Sequence, residues 1–310
     1  MLQQTQVKTV IPYFERWLQS FPDIKTLADA PLDDVLAHWA GLGYYARARN
    51  LHKTATICME QHRGNLPASA EELNALPGIG QSTANAIISQ STDQPAAVLD
   101  GNVRRVLARH AGIEGWTGKA AVQKQLWKEA ESRLPISRGA DYTQAVMDLG
   151  ATLCSRSNPE CDKCPVSRDC EALILGKVRD LPSPKPATKV SEMTLYLLIL
   201  RDQAGRVLLE KRAPAGIWGG LWCLPSGESI EGINRTLGIG NSGTKGLPPR
   251  DHRLSHIRMT LKPVLASAKD ARQVRCSPQF GWFDREQQES LGLPKPITQL
   301  LKQLSNGEFE

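Results

Sequence analysis

Between Glu71-Glu72-Leu73-Asn74-Ala75 and Gln81-Ser82-Thr83-Ala84-Asn85-Ala86-Ile87-Ile88 the chain reads Leu76-Pro77-Gly78-Ile79-Gly80. Both flanks have helical composition. A proline and two glycines in five residues force a tight turn between them. Glycine admits positive φ and lets a partner come close to the backbone. The amides that open the second helix then point outward, which suits a phosphate. The same string also makes an ordinary helix–helix corner, and taken alone it does not choose between the two.

Outward from this turn, residues 1–176 read as a set of short helices. Apolar residues recur at three and four in Val7, Val10, Ile11, Phe14, Trp17 and Leu18, and similar stripes run through Leu27–Trp39 and Leu51–Met59. Turn signals at 21–23, 41–43 and 63–65 separate them, and no alternating strand pattern interrupts. Downstream of the turn comes Leu99-Asp100-Gly101-Asn102-Val103, with a helical run to Arg109, so Asp100 reads as a helix cap. Arg47, Arg49, Arg104, Arg105 and Arg109 read equally as phosphate contacts or as solvated helix faces. Tyr44, beside Gly43, reads by itself as a core aromatic.

Cys154, Cys161, Cys164 and Cys170 lie within seventeen residues of a chain that has seven cysteines. An odd count without a secretory signal argues against a disulfide framework. Four thiolates on short loops can enclose one metal centre, and both zinc and a 4Fe–4S cluster take four cysteines. Cys58, Cys223 and Cys276 are isolated and read as plain core or surface residues. The 310 residues suggest two domains. No apolar run reaches the ~18–20 residues of a membrane span, and a cytoplasmic location is the default expectation. The net charge of +6 favours polyanionic partners.

Residues 179–189 carry three prolines among charges and read as an extended linker. Beyond it the character changes. Residues 193–201 form an apolar, β-prone run, 202–205 a turn, and 206–212 the returning strand. Residues 257–265 and 279–283 read as further strands, and 296–304 has helical spacing. This half is α+β.

Together, Leu76–Gly80, the Ser82-Thr83-Ala84 that follows, Asp100 and the 6-2-5 spacing of the cysteines resemble the endonuclease III superfamily of helix-hairpin-helix DNA glycosylases. The opening Leu2-Gln3-Gln4-Thr5-Gln6 and the run Gly41–Leu51 resemble its adenine-specific family. Trp218–Pro225 is similar to that family's C-terminal Nudix-like module, and Leu254-Ser255-His256 stands where the family has Phe-Ser-His. The fold implied is multidomain. An all-α glycosylase domain spans 1–176, with the hairpin at 71–90 and a 4Fe–4S site at 154–170. A linker at 177–191 and an α+β, Nudix-like domain at 192–310 follow.

The resemblance implies base-excision repair of adenine mispaired with 8-oxoguanine or guanine in double-stranded DNA. Asp100 becomes the carboxylate that stabilises or traps the sugar cation. Leu76, Gly78, Gly80 and Ser82 grip the strand, Gln4 and Tyr44 enter the duplex, and Arg156 meets DNA from the cysteine loop. Ser255 and His256 hydrogen-bond the oxidised base or its phosphate, and Leu254 weakens that discrimination by lacking a ring. Bifunctional relatives carry lysine where Ser82 stands, so little lyase activity is expected. Residues 227–237 lack the paired glutamates of a Nudix hydrolase, so that domain is expected to recognise without hydrolysing. The protein is expected to be a monomer, off membranes, associated with the nucleoid through DNA. The family's general acid, a glutamate, falls just before the position of Met1. By that reading the chain begins too late, and by itself binds DNA and cleaves slowly. An endonuclease III-like glycosylase/lyase and a catalytically silent mispair-binding protein are the alternatives.

Overall fold

The computed structural model describes residues 1–3, 5–186, 190–240, 244–254, 257–266, 274 and 277–309. Packing divides the chain into a terminal unit, residues 1–64 with 188–310, and a middle unit, residues 65–187. Among the described residues no helix is long and apolar enough to cross a membrane.

The terminal unit opens with four helices, α1 (Val7–Ser20), α2 (Ile24–Asp29), α3 (Leu32–Trp39) and α4 (Ala46–Gln61). Asp23 caps α2 through Thr26 N at 2.7 Å. The stripe read over Leu27–Trp39 is broken between α2 and α3, where Ala30 is extended before Pro31, as a residue preceding proline prefers. The α1 stripe also divides. Val10 and Trp17 are buried, whereas Val7, Ile11, Phe14 and Leu18 are exposed.

The middle unit holds α5 (Ala70–Ala75), α6 (Gln81–Thr92), α7 (Gly101–His110), α8 (Ala120–Ser132), α9 (Gly139–Thr152) and the short α10 (Glu171–Ile174). Its core gathers Leu99, Val103, Leu107, Leu126 and Ala130. Helices α7 and α9 meet at Gly150, where a Cβ would stand 2.7–3.0 Å from Asn102. The proline-rich stretch is partly packed here. Leu181 is buried, and Ser183 bridges to Trp116.

The chain then returns to the terminal unit with β1 (Ser191–Ile199), β2 (Val207–Lys211), β3 (Trp222–Cys223), β4 (Ser226–Gly227), α11 (Ile230–Leu237), β5 (Lys245–Gly246), β6 (Arg250–Arg253), β7 (Ile257–Leu265), β8 (Phe280–Phe283), α12 (Arg285–Glu289) and α13 (Lys295–Ser305). Among the described residues one sheet runs β4-β1-β7-β5 with β6 also on β7, and a second runs β3-β2-β8. Strands β1 and β7 are parallel, from Ser191 opposite Ile257 to Ile199 opposite Leu265. The returning strand expected at 206–212 forms, but it leaves β1 after one bridge, Arg201 to Val207, and pairs with β3 and β8 instead. Strand β1 is already flanked by β4 and β7.

Period-two alternation gives β1 two buried faces. Leu195, Leu197 and Ile199 join a core with Trp17, Val35, Leu36 and Trp39 from the first helices and Ile297 and Leu300 from α13. Leu198 and Leu200 face a second core with Ile233 and Leu237 of α11. The N-terminal helices therefore cover one face of the sheet and α11 the other.

Candidate functional site

In the middle unit the hairpin is built as its turn residues dictate. Ser69 caps α5 by accepting Glu72 N at 3.2 Å. Leu76 ends the helix, with its side chain buried, and its carbonyl accepts Ile79 N at 3.2 Å. Gly78 has φ 79°, where a side chain would be strained. Gly80 is the N-cap of α6, and nothing lies within 4 Å of where its Cβ would stand. The first amides of α6 thus open beside an unobstructed stretch of backbone.

Ser82 has an internal partner. Its hydroxyl accepts Leu99 N at 3.0 Å, tying the hairpin's second helix to the residue before Asp100. Asp100 is the N-cap of α7, as its residue type suggested, and Oδ1 accepts Val103 N at 2.7 Å. Arg104 Nε donates to the Leu99 carbonyl at 3.1 Å. One carboxylate oxygen is therefore spent on the helix, which fixes the direction of the other.

The cysteine loop hangs on turns with a three-residue step. Cys164 N bonds Cys161 O, Ser167 N bonds Cys164 O, and Cys170 N bonds Ser167 O, at 3.1–3.3 Å. These successive turns keep Cys161, Cys164 and Cys170 in one short loop. With Cys154 they line one cavity, walled also by Leu153, Pro159, Leu173 and Val178. None of the four is in a disulfide. Burial pushes the Cys161 thiol up, and Cys154, Cys170 and Cys164 add to that rise while Arg109 opposes it. Among the described residues no group of three or more His, Cys, Asp or Glu is placed to hold a single metal ion. Four thiols lining one cavity fit a metal centre that takes four cysteines, a description that zinc and a 4Fe–4S cluster share.

Two of the five arginines that the sequence left open as phosphate contacts or solvated faces turn inward here. Arg109 is buried and donates to Leu181 O and Ser155 O at 2.8 Å, Arg156 O at 3.2 Å and Cys154 Sγ at 3.3 Å. Arg105, one turn earlier, donates to Cys154 O at 2.8 Å, Gly150 O at 2.5 Å and Asn102 Oδ1 at 2.9 Å. The available signal was their i, i+4 spacing, which places both on one side of α7. The Arg156 side chain itself is exposed.

In the terminal unit, Tyr44 is 52% exposed with φ 49°, so it is not a core aromatic. Arg47 lies over its ring at 5.6 Å and over Trp39 at 5.2 Å. It donates to Met1 O at 2.8 Å, to Gln3 O and to Thr5 Oγ1 at 3.2 Å, which makes it a brace for Met1, Gln3 and Thr5 rather than a free cation. Arg49 donates to Gly219 O at 2.5 Å. Tyr44, Arg49, Trp218, His252, Leu254 and Lys295 line a cavity of about 660 Å³. His252 was not singled out in the sequence, and Trp218 was named only as the start of the Trp218–Pro225 run. Gln4, Ser255, His256 and Cys276 lie outside the described residues. Cys58 and Cys223 are buried, and burial pushes the Cys223 thiol up to about 12, leaving it inert.

Residues 1–132 match the HhH-GPD superfamily base excision DNA repair protein family, and residues 195–303 match the NUDIX domain. The adenine DNA glycosylase of Buchnera aphidicola subsp. Baizongia pistaciae is 36% identical over 98% of this chain and 87% of its own length. The human adenine DNA glycosylase is 45% identical over 73% of this chain and 50% of its own length. The structure of a thermostable thymine-DNA glycosylase shares the fold, with a TM-score of 0.51 at 24% identity, covering 56% of this chain and 80% of that one. The chain belongs to the adenine DNA glycosylase family of base-excision repair enzymes.

Proposed function

We propose that the protein removes adenine lying opposite 8-oxoguanine or guanine in double-stranded DNA, with Asp100 as its catalytic carboxylate. The observation that carries this reading is the placement of Asp100. It is locked by Val103 N and joined to the hairpin through Leu99 N and Ser82. A strand held at Leu76, Gly78, Gly80 and Ser82 then meets a carboxylate of fixed direction. As adenine leaves, positive charge grows on the sugar, and a carboxylate beside it stabilises or traps that charge. Ser82 offers no amine for a Schiff base, so the strand stays intact.

From the terminal unit, Tyr44 and Gln4 enter the duplex, and Ser255 and His256, next to Leu254 in the sequence, read the base opposite. The exposure and strained backbone of Tyr44 support its part, since such strain persists at working positions. Cys154, Cys161, Cys164 and Cys170 hold a 4Fe–4S cluster, whose contribution is to fold the loop that presents Arg156 to DNA. The inherited modules are 1–176 and 192–310 with 177–191 between them, acting as a monomer on nucleoid DNA.

The test is single-turnover release of free adenine from a duplex with one A:8-oxoguanine pair. It is run on residues 1–310 and on a version extended upstream through the glutamate that the resemblance expects. Release of adenine with the strand uncut supports the reading. Release of an oxidised pyrimidine with strand cleavage, or tight mispair binding without release by either version, overturns it.

A further inference from the structure

The ring of His252 packs against that of Trp218 in the cavity of the terminal unit, with centroids 5.8 Å apart and planes tilted 48°. Three observations give this pair a task. First, exposure alternates along β6 and the residue after it: Asp251 and Arg253 are exposed, while His252 and Leu254 are half-buried, and all of 252–254 border the cavity. His252 is therefore the same-face neighbour of Leu254. Second, Leu254 N donates to Ile257 O at 2.9 Å, so β6 passes into β7 within four residues of Leu254. Third, Trp218 is buried yet holds φ 55°, and Tyr44 on the same cavity holds φ 49°. Left-handed backbone in a residue with a large side chain is strained and persists where the surroundings fix it. Trp218 is fixed from both sides of its loop. Gly219, which follows it, packs its Cα against the Pro214 backbone, and the Gly219 carbonyl accepts Arg49.

We propose that His252, propped by Trp218, is a positioning residue that sets where Leu254 stands, and through it how the protein selects the base opposite the adenine. The proposal rests on the reading of residues 254–256 given above. The mechanism is steric. The Trp218 ring is anchored in the core, the His252 ring rests on it, and the β6 backbone above cannot settle further into the cavity. Removing either ring lets Leu254 sink while every group that touches DNA keeps its identity.

The experiment compares dissociation constants of the full chain for two duplexes that differ only in the base opposite adenine, 8-oxoguanine or guanine. The variants are His252→Ala, His252→Phe and Trp218→Phe, with thermal unfolding measured on each. His252→Ala is expected to lower the guanine-to-8-oxoguanine ratio of dissociation constants about tenfold, as for loss of one contact of ordinary strength. His252→Phe and Trp218→Phe keep both rings, and each is expected to hold the wild-type ratio within about twofold. A merely structural role predicts equal weakening on both duplexes with the ratio unchanged, and that result overturns the proposal. A ratio lost equally in His252→Ala and His252→Phe overturns the steric account. A wild-type ratio near one instead sinks the reading of residues 254–256 itself.

Discussion

Replacing Arg109 by methionine removes the clamp between α7 and the cysteine loop while keeping an unbranched side chain in its place. The guanidinium makes two strong hydrogen bonds, to Leu181 O and Ser155 O at 2.8 Å. Two weaker ones go to Arg156 O and Cys154 Sγ at 3.2 and 3.3 Å. A hydrogen bond to a charged group contributes about 1.5–3 kcal/mol, so the strong pair alone represents roughly 3–6 kcal/mol. Methionine carries no desolvation cost, which returns part of this, and the net loss is about 2–4 kcal/mol. Urea unfolding reads that loss as a lower midpoint at unchanged slope. Iron per chain, measured after purification, reads the loop directly and is expected to fall in parallel. Arg109→Lys keeps the charge without the planar fork and is expected to lie between the two. A methionine variant with the wild-type midpoint and full iron content would refute the assignment of Arg109 as the residue that holds the loop.

Tyr44→Ala is expected to weaken binding of mispaired duplex at least tenfold with little change in unfolding, since the ring is more exposed than buried; competition binding measures it. Gly150→Ala drives a methyl against Asn102 where α7 and α9 meet, and overpacking of this kind costs about 1–3 kcal/mol in urea unfolding. Burial, helped by Lys295, holds the His252 imidazole below the usual histidine value. The folded chain therefore binds fewer protons there than the unfolded chain. Stability from this site is complete above the usual value near ~6.5 and is lost as pH falls through the lower folded value. Unfolding midpoints of the wild type and His252→Gln should diverge over that window, with the wild type losing more. Parallel midpoints contradict the placement of the ring.

Local grammar made much of this legible in the sequence. The Leu76–Gly80 turn, the cap at Asp100 and the strands at 257–265 and 280–283 each depend on a few neighbouring residues, and they stand where their residue types put them. The cysteine spacing carried more than its count did. The short steps keep Cys161, Cys164 and Cys170 on consecutive turns of one loop, where they line a single cavity with Cys154. What stayed hidden depends on partners far along the chain. The α1 stripe looked uniformly core-facing, yet Val10 and Trp17 take the core and Val7, Ile11, Phe14 and Leu18 do not. The N-terminal helices share a core with β1 and α13 because Leu195, Leu197 and Ile199 present a second apolar face, and no local pattern announces which helices will cover it. Arg109 read as a surface cation because its acceptors, Ser155 and Leu181, lie 46 and 72 residues away.

The most direct test of the central claim is release of free adenine in a single turnover, with Asp100→Asn beside the unsubstituted protein. Asparagine also caps helices well, so the variant should fold, keep its iron and bind the A:8-oxoguanine duplex. The account predicts that the unsubstituted protein releases adenine and leaves the strand uncut. It predicts that Asp100→Asn is slower by about 10²-fold or more. Equal rates from the two proteins would contradict it.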